Sequence, residues 1–92
     1  MDRITKQKLE RYFSITEMAL EKVKSKIKKG KEKQAKEIFE MVGNYLSDAR
    51  YFENKKDFVN AFAAINYSHG WLDAGVRLGV FDVNDNQFFT IN

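Results

Sequence analysis

Four polar residues in a largely apolar stretch have types and spacing that suit chemistry: Asn66, His69, Asp73 and Arg77. On an α-helix, at roughly 100° per residue, they share an arc about 80° wide. Asp73 could orient the imidazole of His69 for acid–base work, and Arg77 could hold an anion. This polar stripe is therefore a candidate small-ligand or hydrolytic site.

The same stripe also fits a structural role, which we favour. His69 shares a helical register with Phe62 and Val76, so we expect it to be largely buried and uninvolved in catalysis. Asp73 and Arg77 have the spacing of an i, i+4 ion pair. Because Ser68 points about 100° away from His69, the stripe lacks an obvious nucleophile. We therefore predict no catalytic residue.

Composition excludes much of the remaining chemistry. The chain has no cysteine, which removes disulfides, thiolate metal sites and thiol nucleophiles. It has a single histidine, and the residue three positions before it is Asn66, so the Glu-x-x-His spacing of di-metal bundles is missing. We predict no metal and no cofactor.

A second candidate is a basic segment between Lys22 and Lys36, which holds eight lysines and one acidic residue. Residues 1–36 carry 12 Lys and Arg against 5 Asp and Glu, whereas residues 37–92 carry 4 against 8. Such a basic tip can bind nucleic acid through phosphates. The segment contains no arginine and no aromatic residue, so a solvated helix end is the favoured interpretation. The candidate anion-binding residues are Lys24, Lys28, Lys29 and Lys33.

The elements that must position these residues are helices. The chain has 92 residues, 43% of them hydrophobic, with no proline and five glycines, which favours one domain over residues 1–92 built from a few long helices. Apolar residues recur at steps of three and four, which predicts helices over about 4–28, 31–53 and 57–78. The predicted fold is all-α, a three-helix antiparallel up-down-up bundle with a short C-terminal tail, 79–92.

Glycines and one aspartate predict where these helices begin and end. Gly30 and Gly79 are expected at the left-handed positions that follow helices one and three. Asp57 is expected to cap the start of helix three. A tight reversal at Gly30 would then join helices one and two.

Helix three has apolar residues on two faces. Phe62, Leu72 and Val76 belong to the stripe that should pack on the other helices. Tyr67, Trp71, Ala74 and Leu78 lie roughly opposite, where a three-helix monomer leaves them in water, and Trp and Tyr are common interface anchors. The face is covered either by the chain's own tail or by a second copy, and we expect a dimer in which the tail takes part. The apolar tail residues are Phe81, Phe88, Phe89 and Ile91.

The segment AFAAINYSHGWLDAGVRLGVFDV, preceded by YLSDARYFENKKDFVN, resembles a family of small archaeal helical proteins classed as a domain of unknown function, number 357. The resemblance covers about residues 43–83. It implies a compact helical bundle and brings no activity, cofactor or site residues with it. The pattern that carries it comprises Asn66, Tyr67, His69, Gly70, Trp71, Leu72, Asp73, Ala74, Gly75, Arg77 and Gly79.

These observations predict a non-enzymatic interaction module that self-associates through helix three. The alternative is non-specific nucleic-acid binding through the basic tip. The longest uncharged stretch, 58–72, is shorter than the ~20 apolar residues of a membrane span, and the segment MDRITKQKLE lacks the apolar core of a signal peptide. We therefore expect a cytoplasmic protein without a membrane span.

Overall fold

The computed structural model describes residues 3–84 and 86–89. Of these described residues, 72% lie in three helices: α1 (Lys6–Lys24), α2 (Glu32–Asn54) and α3 (Phe58–Arg77). α3 packs extensively on α2 and also on α1. The predicted all-α fold is confirmed.

Capping hydrogen bonds mark the start of α1 and both ends of α3. The hydroxyl of Thr5 accepts a hydrogen bond from the amide of Lys8 at 3.0 Å, which caps α1. The Asp57 carboxylate accepts a hydrogen bond from the amide of Asn60 at 3.2 Å and caps the start of α3, as predicted. α3 ends in a Schellman motif, in which Gly79 has φ +78° and the amide of Val80 donates to the carbonyl of Gly75.

The predicted end of helix one, near residue 28, is wrong. α1 ends at Lys24 because the following residues pair with the segment after α3 instead of continuing the helix. Ile27 and Phe81 form an antiparallel bridge, in which the Lys28 amide donates to the Val80 carbonyl at 2.9 Å. Gly30 does adopt positive φ, +89°, but in this longer connection and not directly after α1.

The core forms two adjoining clusters along the long axis. One lies between the first turns of α1 and the α2–α3 connection, around Leu9, Phe13 and Ile65. The other lies at the opposite end and includes three tail residues, Val80, Phe81 and Phe89, which are 6%, 2% and 4% exposed. The tail therefore folds back as predicted, although Ile91 lies outside the described residues.

Candidate functional site: the exposed face of helix three

His69 is held by two contacts that sequence spacing does not reveal. Its Nδ1 lies 3.0 Å from the Thr16 hydroxyl of α1, and its Nε2 lies 2.5 Å from the carbonyl oxygen of Phe88. Because a carbonyl only accepts, Nε2 donates to Phe88, and the Thr16 hydroxyl hydrogen bonds to the other ring nitrogen, Nδ1. The imidazole also stacks on Phe89, with ring centroids 6.3 Å apart. His69 therefore fastens the tail to the bundle.

The polar stripe does not act as one unit around this imidazole. Both ring nitrogens of His69 are bonded to Thr16 and Phe88, so Asp73 is not needed to orient the imidazole, which was the alternative to a structural role. Asn66 is exposed and lines a shallow depression together with Tyr67 and Trp71. Asp73 is half-buried and Arg77 is exposed, and both take part in side-chain interactions. His69 itself is half-buried and not largely buried as predicted.

Ser68 is equally committed to structure. Its side chain is fully buried and donates a hydrogen bond to the Val42 carbonyl at 3.1 Å. This bond ties α3 to the middle of α2, and a hydroxyl in this position is inaccessible to a substrate.

The exposed surface of α3 carries an apolar strip, which we call the helix-three face. Asn60, which is also exposed, lies beside the first turn of this strip. Of its large residues, Tyr67 is 64% exposed, Trp71 38% and Leu78 77%. Tyr45 of α2 stacks on Tyr67 at 5.4 Å between ring centroids and supports one edge. The face comprises Val59, Ala63, Tyr67, Gly70, Trp71, Ala74 and Leu78, all exposed, with Asn66 and Arg77 at its rim.

Within tail residues 79–84 and 86–89, which the structure describes, the phenylalanines pack elsewhere than on this face. Phe88 and Phe89 lie beside His69 and α1, and His69 and Trp71 are about 200° apart around the helix. The sequence suggested that either the tail or a second copy covers the helix-three face. The described tail residues Phe88 and Phe89 pack beside His69 instead. The expectation that tail residues 88 and 89 share in covering the face is wrong.

Two glycines of α3 differ sharply in their surroundings. A Cβ on Gly75 would lie 2.4 Å from the Phe81 ring, so this glycine is required by the core. A Cβ on Gly70 would have no atom within 4 Å, and packing inside the chain gives no reason for glycine there. A glycine inside a helix lowers the stability of the helix by about 1 kcal/mol relative to alanine. No contact of Gly70 within the chain compensates for this loss.

The basic tip is a separate surface at one end of the molecule. Lys24 pairs with Glu21 at 3.0 Å, and Lys28, Lys29 and Lys33 are exposed. Backbone pairing with residues 80–82 places this tip beside the C-terminal end of α3. The lysines thus line the end of the molecule and not the helix-three face.

Sequence reasoning missed an ion-pair cluster that joins α1 to α2. The guanidinium of Arg50 donates to Glu10 at 3.0 Å and to Glu53 at 2.8 Å, and its carbon lies 3.5 Å from the centre of the Phe13 ring. The spacing of Arg50 and Glu53 is an i, i+3 signal, but nothing in the sequence points from Arg50 to α1. Glu53 is the buried member, with a side chain 12% exposed.

This cluster predicts a dependence of stability on pH. The pKa of Glu53 is lowered from its usual value by its neighbours Glu10 and Arg50, of which Arg50 donates a hydrogen bond and supplies a positive charge, and this outweighs burial. A lowered folded-state pKa stabilises the protein above the unfolded-state pKa, and this contribution is lost as pH falls through the folded-state value. When the pH is lowered from about 6 to about 3, the free energy of unfolding should therefore fall less for Glu53→Gln than for the wild type, as measured by urea unfolding at each pH.

Glu40→Gln, at an exposed position of α2, is the matched control. It should keep the acid sensitivity of the wild type. Equal sensitivity in Glu53→Gln and the wild type would contradict the stabilising role given to the Glu53 carboxylate.

No three His, Asp or Glu side chains within residues 3–84 and 86–89 cluster so that they could hold a metal ion. In the same part of the chain, no helix has the length and apolar character needed to cross a membrane.

Comparison with known proteins places the chain in a family. Residues 11–81 match the family model described as "Protein of unknown function (DUF357)". The match spans most of the chain and confirms the resemblance, so the protein belongs to this family. No curated protein and no solved structure matches it significantly.

Proposed function

We propose that this protein is a non-enzymatic interaction module that self-associates through the helix-three face. One observation carries the proposal: an apolar strip along the whole of α3 is exposed, with Trp71 and Tyr67 on it and Gly70 between them. Contiguous exposed apolar patches of this kind usually mark interaction sites. Tyr and Trp are among the side chains that contribute most to binding at such sites.

Gly70 supports self-association by close helix packing. With no side chain, it lets a second helix approach more closely than any other residue would, and the adjacent Ala74 extends this low area. Tyr67 and Trp71, spaced i and i+4, form a ridge beside the low area and supply bulk that can pack against a partner's small residues. Large and small side chains on one strip make it complementary to itself.

No catalytic step is part of the proposal. The imidazole of His69 is used at both nitrogens, and the hydroxyl of Ser68 is buried and bonded. These contacts support a structural role for the residues that sequence alone marked as chemical candidates.

Nucleic-acid binding through the basic tip is the alternative hypothesis. The exposure of Lys28, Lys29 and Lys33 is compatible with it. It has less support than self-association, because the tip offers charge without an aromatic residue on which a base could stack.

Two matched substitutions test the proposal. Gly70→Ala and Gly43→Ala each place a methyl group in open space within a helix, so both should raise the unfolding free energy of the monomer by about 0.5–1 kcal/mol. Only Gly70→Ala should weaken self-association, because Gly43 lies on α2, away from the helix-three face. Urea unfolding of dilute protein and sedimentation of concentrated protein give the two quantities.

The expected pattern is therefore a more stable monomer that dimerises less. If Gly70→Ala sediments as the wild type does, with the same dissociation constant, close packing at Gly70 is rejected. If the wild type stays monomeric at all concentrations, self-association itself is rejected.

A further inference from the structure

We infer that the second copy binds antiparallel, with α3 of one copy crossing α3 of the other at Gly70 around a two-fold axis. This inference rests on the proposed self-association and adds the direction and register of the contact. In such a pair, positions whose numbers sum to about 140 face each other. Ala63 then lies opposite Leu78 of the second copy, and Tyr67 lies close to Ala74 of the second copy.

Side-chain size favours this register. Gly70 lies near the middle of the face, with Ala63 towards one end and Leu78 towards the other. Crossing at the smallest residue brings the helix axes to the short end of the usual 8–10 Å range. The ring of Tyr67 then packs over the small Ala74 of the second copy. Because of the two-fold symmetry, the same contact forms on both sides of the two-fold axis.

Charge selects antiparallel over parallel packing. The basic tip lies beside the C-terminal end of α3, where the Asp82 amide bonds to the Lys26 carbonyl. Parallel helices would bring two such tips together, and Arg77 at the rim would lie near Arg77 of the second copy. Antiparallel helices keep the tips apart by about the length of α3, roughly 30 Å, which exceeds the ~8 Å screening length at physiological salt.

The area of the face is sufficient for a specific but weak dimer. A helix with its side chains is about 12 Å across, or roughly 15 Å when a layer of water radius is added on each side, so a strip about 30 Å long over roughly a third of its circumference has an accessible area on the order of 500 Å² per copy. The total, about 1,000 Å², is at the lower end of specific interfaces, which fits dissociation constants on the order of micromolar. Of the tail residues that the structure describes, Phe88 and Phe89 are not competing occupants, because they pack beside His69.

Single cysteines test the direction of packing. The chain contains no cysteine, so one introduced thiol per copy reports only contacts between copies. Ala63→Cys and Leu78→Cys would be treated with a short bis-maleimide, each alone and as a mixture in which one variant carries a tag that changes its mass. Ser47→Cys, at an exposed position of α2, is the control.

Antiparallel packing predicts cross-linked dimers of one Ala63→Cys and one Leu78→Cys copy in the mixture, and few or none with either variant alone. Alone, the two thiols of a pair would be about 22 Å apart along the helix. Efficient cross-linking of each variant to itself would show parallel packing, which overturns the inference and leaves self-association standing. Sedimenting dimers without any cross-link at either position would overturn both the inference and the helix-three face as the interface.

Discussion

Replacing Gly75 by alanine should lower the unfolding free energy by about 2 kcal/mol, although alanine is the better helix former. The added Cβ would lie 2.4 Å from one carbon of the Phe81 ring and 3.0 Å from Cδ1 of Ile38. Phe81 is 2% exposed and stacks on Phe39, so its ring has no space into which to move. Overpacking of a well-packed core costs typically 1–3 kcal/mol.

The measurement is thermal or urea unfolding at a protein concentration where the chain is monomeric. A loss of about 2 kcal/mol corresponds to a fall in Tm on the order of 10 °C for a chain of this size. Gly70→Ala is the internal control, since the same substitution on the same helix meets no atom and should stabilise the protein. A Gly75→Ala variant as stable as the wild type would contradict the close contact between α3 and Phe81.

A second variant shows that the cost comes from this contact. Phe81→Leu removes ring atoms that the new methyl group would meet, so the double variant should lose less than the sum of the two single losses. Additive losses would place the cause of the Gly75 effect elsewhere.

Much of the fold could be predicted from the sequence because its signals are local. The apolar periodicity of α2 and α3 gave their bounds to within one residue at each end. Asp57 capped α3, and Gly79 took the left-handed position after it. Each of these features depends on residues within one or two turns of the helix.

The end of α1 could not be predicted because its cause is distant in sequence. Periodicity continues through Ile27, but Ile27 pairs with Phe81. Backbone hydrogen bonds to the segment after α3 replace those that a longer helix would have made. A helical pattern in one segment contains no information about such a competing partner.

In the candidate site, too, the features that depend on local spacing could be predicted, and the contacts between residues distant in sequence could not. The helix-three face was predicted because an apolar strip opposite the packed one is visible in the spacing of Tyr67, Trp71 and Leu78. The contacts of His69 were not, because Thr16 lies 53 residues away and Phe88 contributes its backbone, whose place does not depend on side-chain type. The Arg50 cluster was missed because its link to Glu10 spans 40 residues.

Self-association through the helix-three face is tested most directly by sedimentation of the wild type and of Trp71→Lys over a range of concentrations. Trp71 is the chain's single tryptophan and lies on the face, so quenching of its fluorescence follows the same equilibrium. Loss of an interface anchor costs at least about 2 kcal/mol, or about 30-fold in the dissociation constant, and lysine adds a repelling charge to each copy.

Tyr51→Lys is the matched control, since Tyr51 is also an exposed aromatic residue, 58% exposed, but belongs to α2. We expect the wild type and Tyr51→Lys to form dimers whose tryptophan is shielded from acrylamide, and Trp71→Lys to be a folded monomer. A wild type that remains monomeric at high concentration, with its tryptophan quenched to the same extent at every concentration, would contradict self-association through the helix-three face.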